Sequence, residues 1–254
     1  MDTSMQGRVV LITGTGGGQG RAAALAFAAE GALVVGCDVD ADSHAETTRL
    51  VAEAGGVLTG AAPVDLSDAD QAAAWVDAAQ AEHGRIDVLY NNASASRFAP
   101  IAEMSSEDWR FTVGNELDLI FYTTRAAWPH LVAGGGGCII NTASVAGLRG
   151  SRETGLLAHA ATKGAVISMT RQMAVEGGPQ GIRAVSISPG AVETPGTAAF
   201  FADPQIRAAL VSHNLIPRPG LPTDIVAMAV FLASDAAAWV TGCNIVVDGG
   251  MMAV

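Results

Sequence analysis

The chain has 254 residues, of which half are hydrophobic and 15% are charged, and its formal net charge is −11. This length fits one α/β domain with a large core, and the apolar content excludes a disordered chain. The negative charge would repel a phosphate backbone and argues against a nucleic-acid-binding protein. No apolar run approaches the ~20 residues that a membrane span needs, and the N-terminus lacks a signal-peptide pattern. Three widely spaced cysteines favour a reduced, cytoplasmic protein over a disulfide framework.

Apolar β-branched runs alternate with alanine-rich amphipathic stretches from one end of the chain to the other. The predicted strands are residues 8–13, 32–37, 57–64, 86–90, 138–142, 182–188 and 244–247. The predicted helices are residues 18–30, 42–54, 67–82, 107–132, 156–176 and 223–233, whereas 189–222 is predicted to be irregular. Ser67, with Asp70 three residues later, is typical of a capping box at the start of the third helix. The repeated strand–helix units predict one doubly wound Rossmann-type domain over residues 1–254, with a seven-stranded parallel sheet and helices on both faces.

The first predicted strand leads into a glycine-rich turn, TGTGGGQG, at residues 13–20. Glycines allow the backbone to approach a ligand closely, and the helix that follows directs its free N–H groups and positive dipole end at that ligand. A phosphate group suits such a turn. The strict GxGxxG pattern is absent, so the turn alone also fits an ordinary glycine-rich loop.

Asp38 ends the second predicted strand, 18 residues after Gly20. A carboxylate at this position can accept both hydroxyls of an adenosine ribose and would repel a 2′-phosphate. Residues 13–20 and 39–42 contain no Lys or Arg to hold such a phosphate. We therefore expect NAD to be the cofactor, in preference to NADP.

Together these motifs resemble the short-chain dehydrogenase/reductase family over nearly the whole chain. The TGxxxGxG loop, the NNAS stretch at 91–94, the ASVAG stretch at 143–147 and the PGxVxT stretch at 189–194 follow in the family's order. The resemblance implies four catalytic residues, Asn115, Ser144, His159 and Lys163. It implies cofactor contacts from Gly14, Gly18, Gln19, Gly20, Asp38, Asp65, Leu66, Asn92, Lys163, Val192 and Thr194. It also implies a homotetramer.

One position departs from the family's Tyr-x-x-x-Lys motif, because this chain has His159 four residues before Lys163. Positions i and i+4 of a helix share a face, so His159 and Lys163 are expected to project together. Imidazole can move a proton as a general acid or base. The positive charge of Lys163 would disfavour the imidazolium, which favours alcohol oxidation by a neutral His159. Compared with the family's spacing between Ser144 and His159, the resemblance also implies a two-residue insertion around 151–154, in the loop beside the substrate.

Several alternatives stay open at this stage. His159 could be a bystander in a dinucleotide-binding protein without turnover, or the chain could catalyse a non-redox dehydration or isomerisation. Tyr90 and Tyr122 are predicted to be core residues, and Glu153 is a second candidate for the proton-transfer group. The other histidines, His44, His83, His130 and His213, are interpreted as surface or capping residues, and no metal site is expected.

The substrate is constrained only weakly. Apolar residues at 200–216 follow Thr194 in the stretch that corresponds to the family's substrate lid, and they favour a hydrophobic alcohol or ketone. Arg97, Arg149 and Arg152 follow the fourth and fifth predicted strands, where ligands bind in open α/β sheets. An acidic substrate group would suit them, although surface arginines are the simpler interpretation.

Overall fold

The computed structural model describes residues 3–151 and 155–254. Its strands are β1 Val9–Thr13, β2 Leu33–Cys37, β3 Val57–Ala61, β4 Val88–Asn91, β5 Gly137–Thr142, β6 Ile182–Pro189 and β7 Asn244–Val247. Its helices are α1 Gly18–Ala29, α2 Ala41–Glu53, α3 Ala69–His83, α4 Ser106–Val113, α5 Leu119–Ala133, α6 Leu157–Gly177, α7 Ala198–Ala202, α8 Pro204–Val211 and α9 Pro222–Ala233.

The strands form one parallel sheet in the order β3-β2-β1-β4-β5-β6-β7. The predicted seven-stranded Rossmann-type sheet is therefore confirmed. β1 pairs with β2 on one side and with β4 on the other, and the strand order reverses between β1 and β4. In open α/β sheets this reversal creates a crevice at the carboxyl ends of the strands, where ligands bind.

Two apolar cores cover the two faces of the sheet, as β1 illustrates. Val10 and Ile12 point into the core beneath α1 and α9, whereas Val9 and Leu11 point into the core beneath α3, α5 and α6. All five residues of β1 are buried. The near-continuous apolar character of this strand follows from burial on both faces.

The predicted long helix over 107–132 is interrupted in the structure. A single π-helical stretch, Gly114–Asp118, separates α4 from α5. A π turn adds a residue to the helical repeat and changes which side chains face inward. Periodicity of 3.6 residues could not show this widening.

Three boundaries also differ from the sequence predictions. Asp68, rather than Ser67, caps α3 by accepting from Asp70 N and Gln71 N, because the Ser67 hydroxyl donates to Asp65. The stretch 189–222 contains α7 and α8, and α8 begins at the Asp203–Pro204 pair, a favourable start because Pro fits the first helical position. The third predicted strand ends at Ala61, before Pro63, which has no N–H for the sheet.

Within residues 3–151 and 155–254, no helix is both long and apolar enough to cross a membrane. The three cysteines are unpaired, and Cys37 and Cys138 are buried.

Candidate active site

A cleft of about 670 Å³ lies at the carboxyl ends of the strands. It begins beside Asp38 and Asp65 and extends to Ser144, His159 and Lys163. Of the predicted site residues, all except Gly20 line this cleft. The fold thus brings together side chains that lie up to 180 positions apart in the sequence, Gly14 and Thr194 at the extremes.

The glycine-rich turn forms one wall of the cleft. Gly14 adopts φ +74°, a left-handed conformation that favours glycine. Gly20 lies behind the turn in the first turn of α1, where a Cβ would come within 1.8 Å of the Gly14 carbonyl oxygen. A Cβ on Gly17 would meet nothing within 4 Å, so the turn is open toward the cleft. Gln19 lines the cleft with a buried Oε1 that has no hydrogen-bond partner among the described residues.

Asp38 stands at the adenosine end predicted from the sequence. Its Oδ2 accepts the Gly16 N–H at 2.7 Å, and its Oδ1 accepts the Asp40 N–H at 2.9 Å. These bonds hold the carboxylate at the cleft, and each oxygen keeps a lone pair for a further donor. Arg21, just outside the stretch considered above, donates to Gly16 O, Ser43 O and Thr47 Oγ1 and does not line the cleft.

The remaining predicted cofactor residues form the floor and the far wall. Asn92 is fixed at the end of β4, because its side chain donates to Thr13 O and its N–H donates to Thr13 Oγ1. Asp65 accepts from both the N–H and the hydroxyl of Ser67, and Leu66 is buried beside it. On the opposite wall, Thr194 approaches the turn so closely that a Cβ on Gly18 would lie 3.3 Å from it, and Val192 is buried in the same loop. An elongated, polar-ended cleft with the unpartnered Gln19 Oε1 fits a dinucleotide.

His44 does not lie on the surface, contrary to the prediction. It is 8% exposed and its Nδ1 lies 2.8 Å from Thr15 Oγ1 of the glycine-rich turn. Burial lowers the pKa of His44, and the charge of Asp38 opposes that shift. His44 therefore supports the glycine-rich turn from the side away from the cleft. The sequence interpretation missed it because one histidine in an amphipathic helix gives no sign of its partner.

Ser144 follows β5 and caps a short 3₁₀ turn, Val145–Gly147, by accepting the Ala146 N–H at 3.1 Å. This turn packs directly on α6. A Cβ on Gly147 would lie 2.7 Å from the Lys163 carbonyl carbon and from Gly164 N. Gly147 therefore allows the turn that carries Ser144 to reach the helix that carries His159 and Lys163.

His159 makes a contact that the sequence did not predict. Its Nδ1 lies 2.8 Å from Oε1 and 3.0 Å from Oε2 of Glu116. The His159 side chain is 17% exposed and lines the cleft, whereas the Glu116 side chain is fully buried. The carboxylate of Glu116 thus holds the histidine from the protein interior, and the other side of the ring stays accessible from the cleft.

The Glu116 carboxylate also accepts from Ser94 Oγ at 2.8 Å and from Thr162 Oγ1 at 2.5 Å. Burial opposes its ionisation, but the His159 hydrogen bond and the charge of Lys163 outweigh burial and lower the pKa of Glu116. Lys163 is itself buried and donates to Thr142 O at 3.0 Å. Burial lowers the pKa of Lys163, and the Glu116 charge opposes that shift.

Asn115, the predicted catalytic amide, lines the cleft, but its side chain donates to the backbone oxygen of Phe111 at 2.9 Å. The π-helical stretch places its neighbour Glu116, not Asn115, against His159. A role for Asn115 stays a prediction. One sequence signal could have indicated Glu116. It is an acidic residue beside the apolar Leu117 and Leu119, which lie on the inward-facing side of the helix.

A second cavity of about 610 Å³ adjoins the catalytic end of the cleft and shares Ser144 and His159 with it. Its lining is mostly apolar and includes Phe98 and Phe200. The Phe98 ring contacts His159 edge-on, with centroids 5.8 Å apart, and also contacts Phe200. Of the apolar residues predicted at 200–216, Phe200, Phe201 and Leu210 line this cavity, which suits a hydrophobic substrate, whereas Leu215 and Ile216 are exposed and do not line it.

The remaining candidates take different places. Arg97 pairs with Glu107 and Asp108, whereas Arg149 lines the second cavity and has no carboxylate partner among the described residues. Tyr90 is fully buried in β4, and burial raises the pKa of its phenol to about 12, which confirms it as a core residue. Glu153 and Arg152 lie outside the described residues.

Comparison with known proteins shows similarity over almost the whole chain. A sequence model described as enoyl-(acyl carrier protein) reductase matches residues 14–252. Meso-2,3-butanediol dehydrogenase of Serratia marcescens is 37% identical over 246 residues, which cover 97% of this chain and 95% of that protein. 3beta-hydroxysteroid dehydrogenase 1 of Eggerthella lenta is 37% identical over 255 residues, covering 99% and 96%. A solved 7α-hydroxysteroid dehydrogenase complexed with NADH and 7-oxo glycochenodeoxycholic acid has a TM-score of 0.93 at 31% identity, covering 98% and 96%.

Proposed function

Because the chain belongs to the short-chain dehydrogenase/reductase family of oxidoreductases, we propose that it interconverts a hydrophobic secondary alcohol and a ketone with NAD as the cofactor. The observation that carries this proposal is the position of His159, whose side chain lines both the cofactor cleft and the apolar cavity. A group that takes a proton from the alcohol while the hydride leaves must reach the place where the substrate cavity meets the cofactor cleft.

We assign the steps as follows. The residues of the cleft would hold NAD, which would supply a hydride acceptor beside the carbinol carbon; loss of the hydride and of the hydroxyl proton turns the alcohol into a C=O group. His159 takes that proton from the alcohol oxygen, and the Ser144 hydroxyl hydrogen-bonds the same oxygen. Lys163 adds a positive charge beneath the site and favours a negative charge developing on that oxygen. In the reverse direction His159 returns the proton to the alkoxide.

The preference for NAD rests on Asp38. Its carboxylate is fixed at the cleft by the N–H groups of Gly16 and Asp40 and presents its free lone pairs to a ligand. Such a group accepts ribose hydroxyls and repels a 2′-phosphate. Arg21 donates through Nε and Nη2 to three acceptors in the protein and does not line the cleft, so it is not placed to hold that phosphate.

The apolar lining of the second cavity supports a hydrophobic substrate, and two relatives carry names of hydroxysteroid dehydrogenases. The redox names of the relatives support an oxidoreductase over a dehydratase, an isomerase or a protein without turnover. We also propose a homotetramer that works in the cytoplasm, where the three unpaired cysteines would stay reduced.

The test is a screen of hydrophobic secondary alcohols with NAD, followed by NADH absorbance, on the parent chain and on His159→Phe. The Phe variant keeps a ring but has no titratable nitrogen, so we expect kcat to fall on the order of 10²-fold or more. The affinity for NAD should stay nearly unchanged. His83→Phe, at the end of α3 and outside the cleft, is the matched control. A His159→Phe variant as fast as the parent would overturn the assignment.

A further inference from the structure

We propose that Glu116 is a positioning residue for His159: it fixes the proton of the imidazole on Nδ1 and leaves Nε2 as the nitrogen that exchanges a proton with the substrate. This inference rests on the proposed function, because it assumes that His159 moves the substrate proton. It adds a buried carboxylate to the residues that the sequence placed in the site.

The geometry of the pair fixes the tautomer. Both Glu116 oxygens lie within 3.0 Å of His159 Nδ1, and an ionised carboxylate can only accept hydrogen bonds. Nδ1 must therefore carry the hydrogen. Nε2 is on the other side of the ring and makes no hydrogen bond with the described residues. The edge-on contact with Phe98 restricts rotation of the ring toward another orientation.

The carboxylate is itself held from several directions. Ser94 reaches it from the loop after β4, and Thr162 and His159 reach it from α6. Glu116 comes from the π-helical stretch between α4 and α5. A side chain fixed by three separate parts of the fold can define the position of the imidazole, as a rigid supporting shell must do for a catalytic group.

The charge of Glu116 also matters during the proton transfer. When His159 takes the alcohol proton it becomes an imidazolium, and the negative charge 2.8 Å away stabilises that form. The sequence interpretation considered only Lys163, which has the opposite effect. Glu116 and Lys163, a buried anion and a buried cation, thus act on the imidazolium with opposite signs. Arg149 and His213, which line the apolar cavity, are the further charged or titratable groups on the substrate side.

The decisive variant is Glu116→Gln, which keeps the size of the side chain and removes its charge. An amide can either accept from Nδ1–H or donate to Nδ1, so the tautomer is no longer fixed. We expect kcat for alcohol oxidation to fall on the order of 10²–10⁴-fold, as when the carboxylate behind a catalytic histidine is replaced by an amide. The affinity for NAD should change less than about twofold. Glu53→Gln, an exposed carboxylate at the end of α2, should match the parent.

The same change in the His159→Phe background separates this inference from the proposed function. If Glu116 acts through His159, Glu116→Gln should cost less than about twofold once His159 is absent. An inactive His159→Phe variant beside a fully active Glu116→Gln variant would overturn the positioning role and leave the proposed function intact. A fully active His159→Phe variant would overturn both.

Two readouts distinguish positioning from structural support. In Glu116→Gln the imidazolium loses its counter-charge, so the rise of the oxidation rate should move to lower pH, by about one unit or more. Nitrogen NMR of the parent, with the His159 signal assigned by comparison with His159→Phe, should show the Nδ1–H tautomer. The NMR measurement does not need a folded Glu116 variant, and an Nε2–H tautomer in the parent would refute the proposal.

Discussion

Gly147→Ala tests whether the distance between the Ser144 turn and α6 controls catalysis. The added methyl group would lie 2.7 Å from two backbone atoms of α6, whereas ordinary contacts of a Cβ begin near 3.4 Å. The shortfall is about 0.7 Å, and it cannot be relieved by a rotamer change, because both atoms belong to the backbone of Lys163 and Gly164. The turn and the helix must therefore move apart.

A displacement of this size should be visible mainly in the chemical step. A misplacement of about 1 Å in a catalytic group can cost on the order of 10²-fold in rate, so we expect kcat to fall between about 10-fold and 100-fold. Overpacking of a core contact typically costs about 1–3 kcal/mol of stability, which thermal unfolding would detect. The glycine-rich turn is not touched, but Lys163, an expected cofactor contact, lies at the clash, so the dissociation constant of NAD should change by a smaller factor than kcat.

Gly178→Ala is the matched control, because a Cβ at Gly178 would meet nothing within 4 Å and Gly178 lines neither the cleft nor the second cavity. Both variants should be assayed on the alcohol found in the screen, with NAD binding measured by calorimetry. If Gly147→Ala and Gly178→Ala both keep the parent kcat, the close packing of the turn on α6 does not set the position of Ser144, and that inference is wrong.

Three further predictions follow from the electrostatics and from the family resemblance. Asp38→Ala should narrow the preference for NAD over NADP, because repulsion of the 2′-phosphate disappears; titration of both cofactors measures this, and an unchanged ratio would contradict the role of Asp38. The pKa of Glu116 is lowered in the folded state, so its ionised carboxylate stabilises the fold above the ordinary glutamate pKa, and this stabilisation is lost as pH falls through the lower folded value. The melting temperature of Glu116→Gln should therefore depend less steeply on pH in the acid range than that of the parent. Light scattering should give the mass of four chains, and the mass of one chain would refute the homotetramer.

Much of the cleft could be predicted from the sequence, because its residues occur in local motifs. The glycine-rich turn and Asp38 are separated by one helix and one strand, α1 and β2, a spacing that the fold itself fixes. Likewise His159 and Lys163 lie one helical turn apart, so their common face followed from the pattern alone. The order of strands and helices was sufficient to place these groups at the carboxyl ends of the strands.

Glu116 could not be found in the same way, because its position depends on two features that pattern reasoning does not include. The π-helical stretch shifts the inward-facing side of the helix by one residue, from Asn115 toward Glu116. Its four hydrogen bonds come from loop and helix residues far away in the chain. His44 was misassigned for the same reason, since its partner Thr15 lies 29 residues before it. Long-range polar contacts leave no periodic trace in a single sequence.

The dependence of Glu116 on α6 has a consequence for how the chain matures during synthesis. His159 and Thr162 lie 43 and 46 residues after Glu116, so both emerge from the ribosome later than the carboxylate that they bind. Before α6 is synthesised, Glu116 has only one of its two hydroxyl partners, Ser94. An ionised carboxylate without its partners favours water over an apolar interior. The glycine-rich turn and β1–β4 can thus assemble early, whereas the cluster around Glu116 closes only once α6, Leu157–Gly177, has been synthesised.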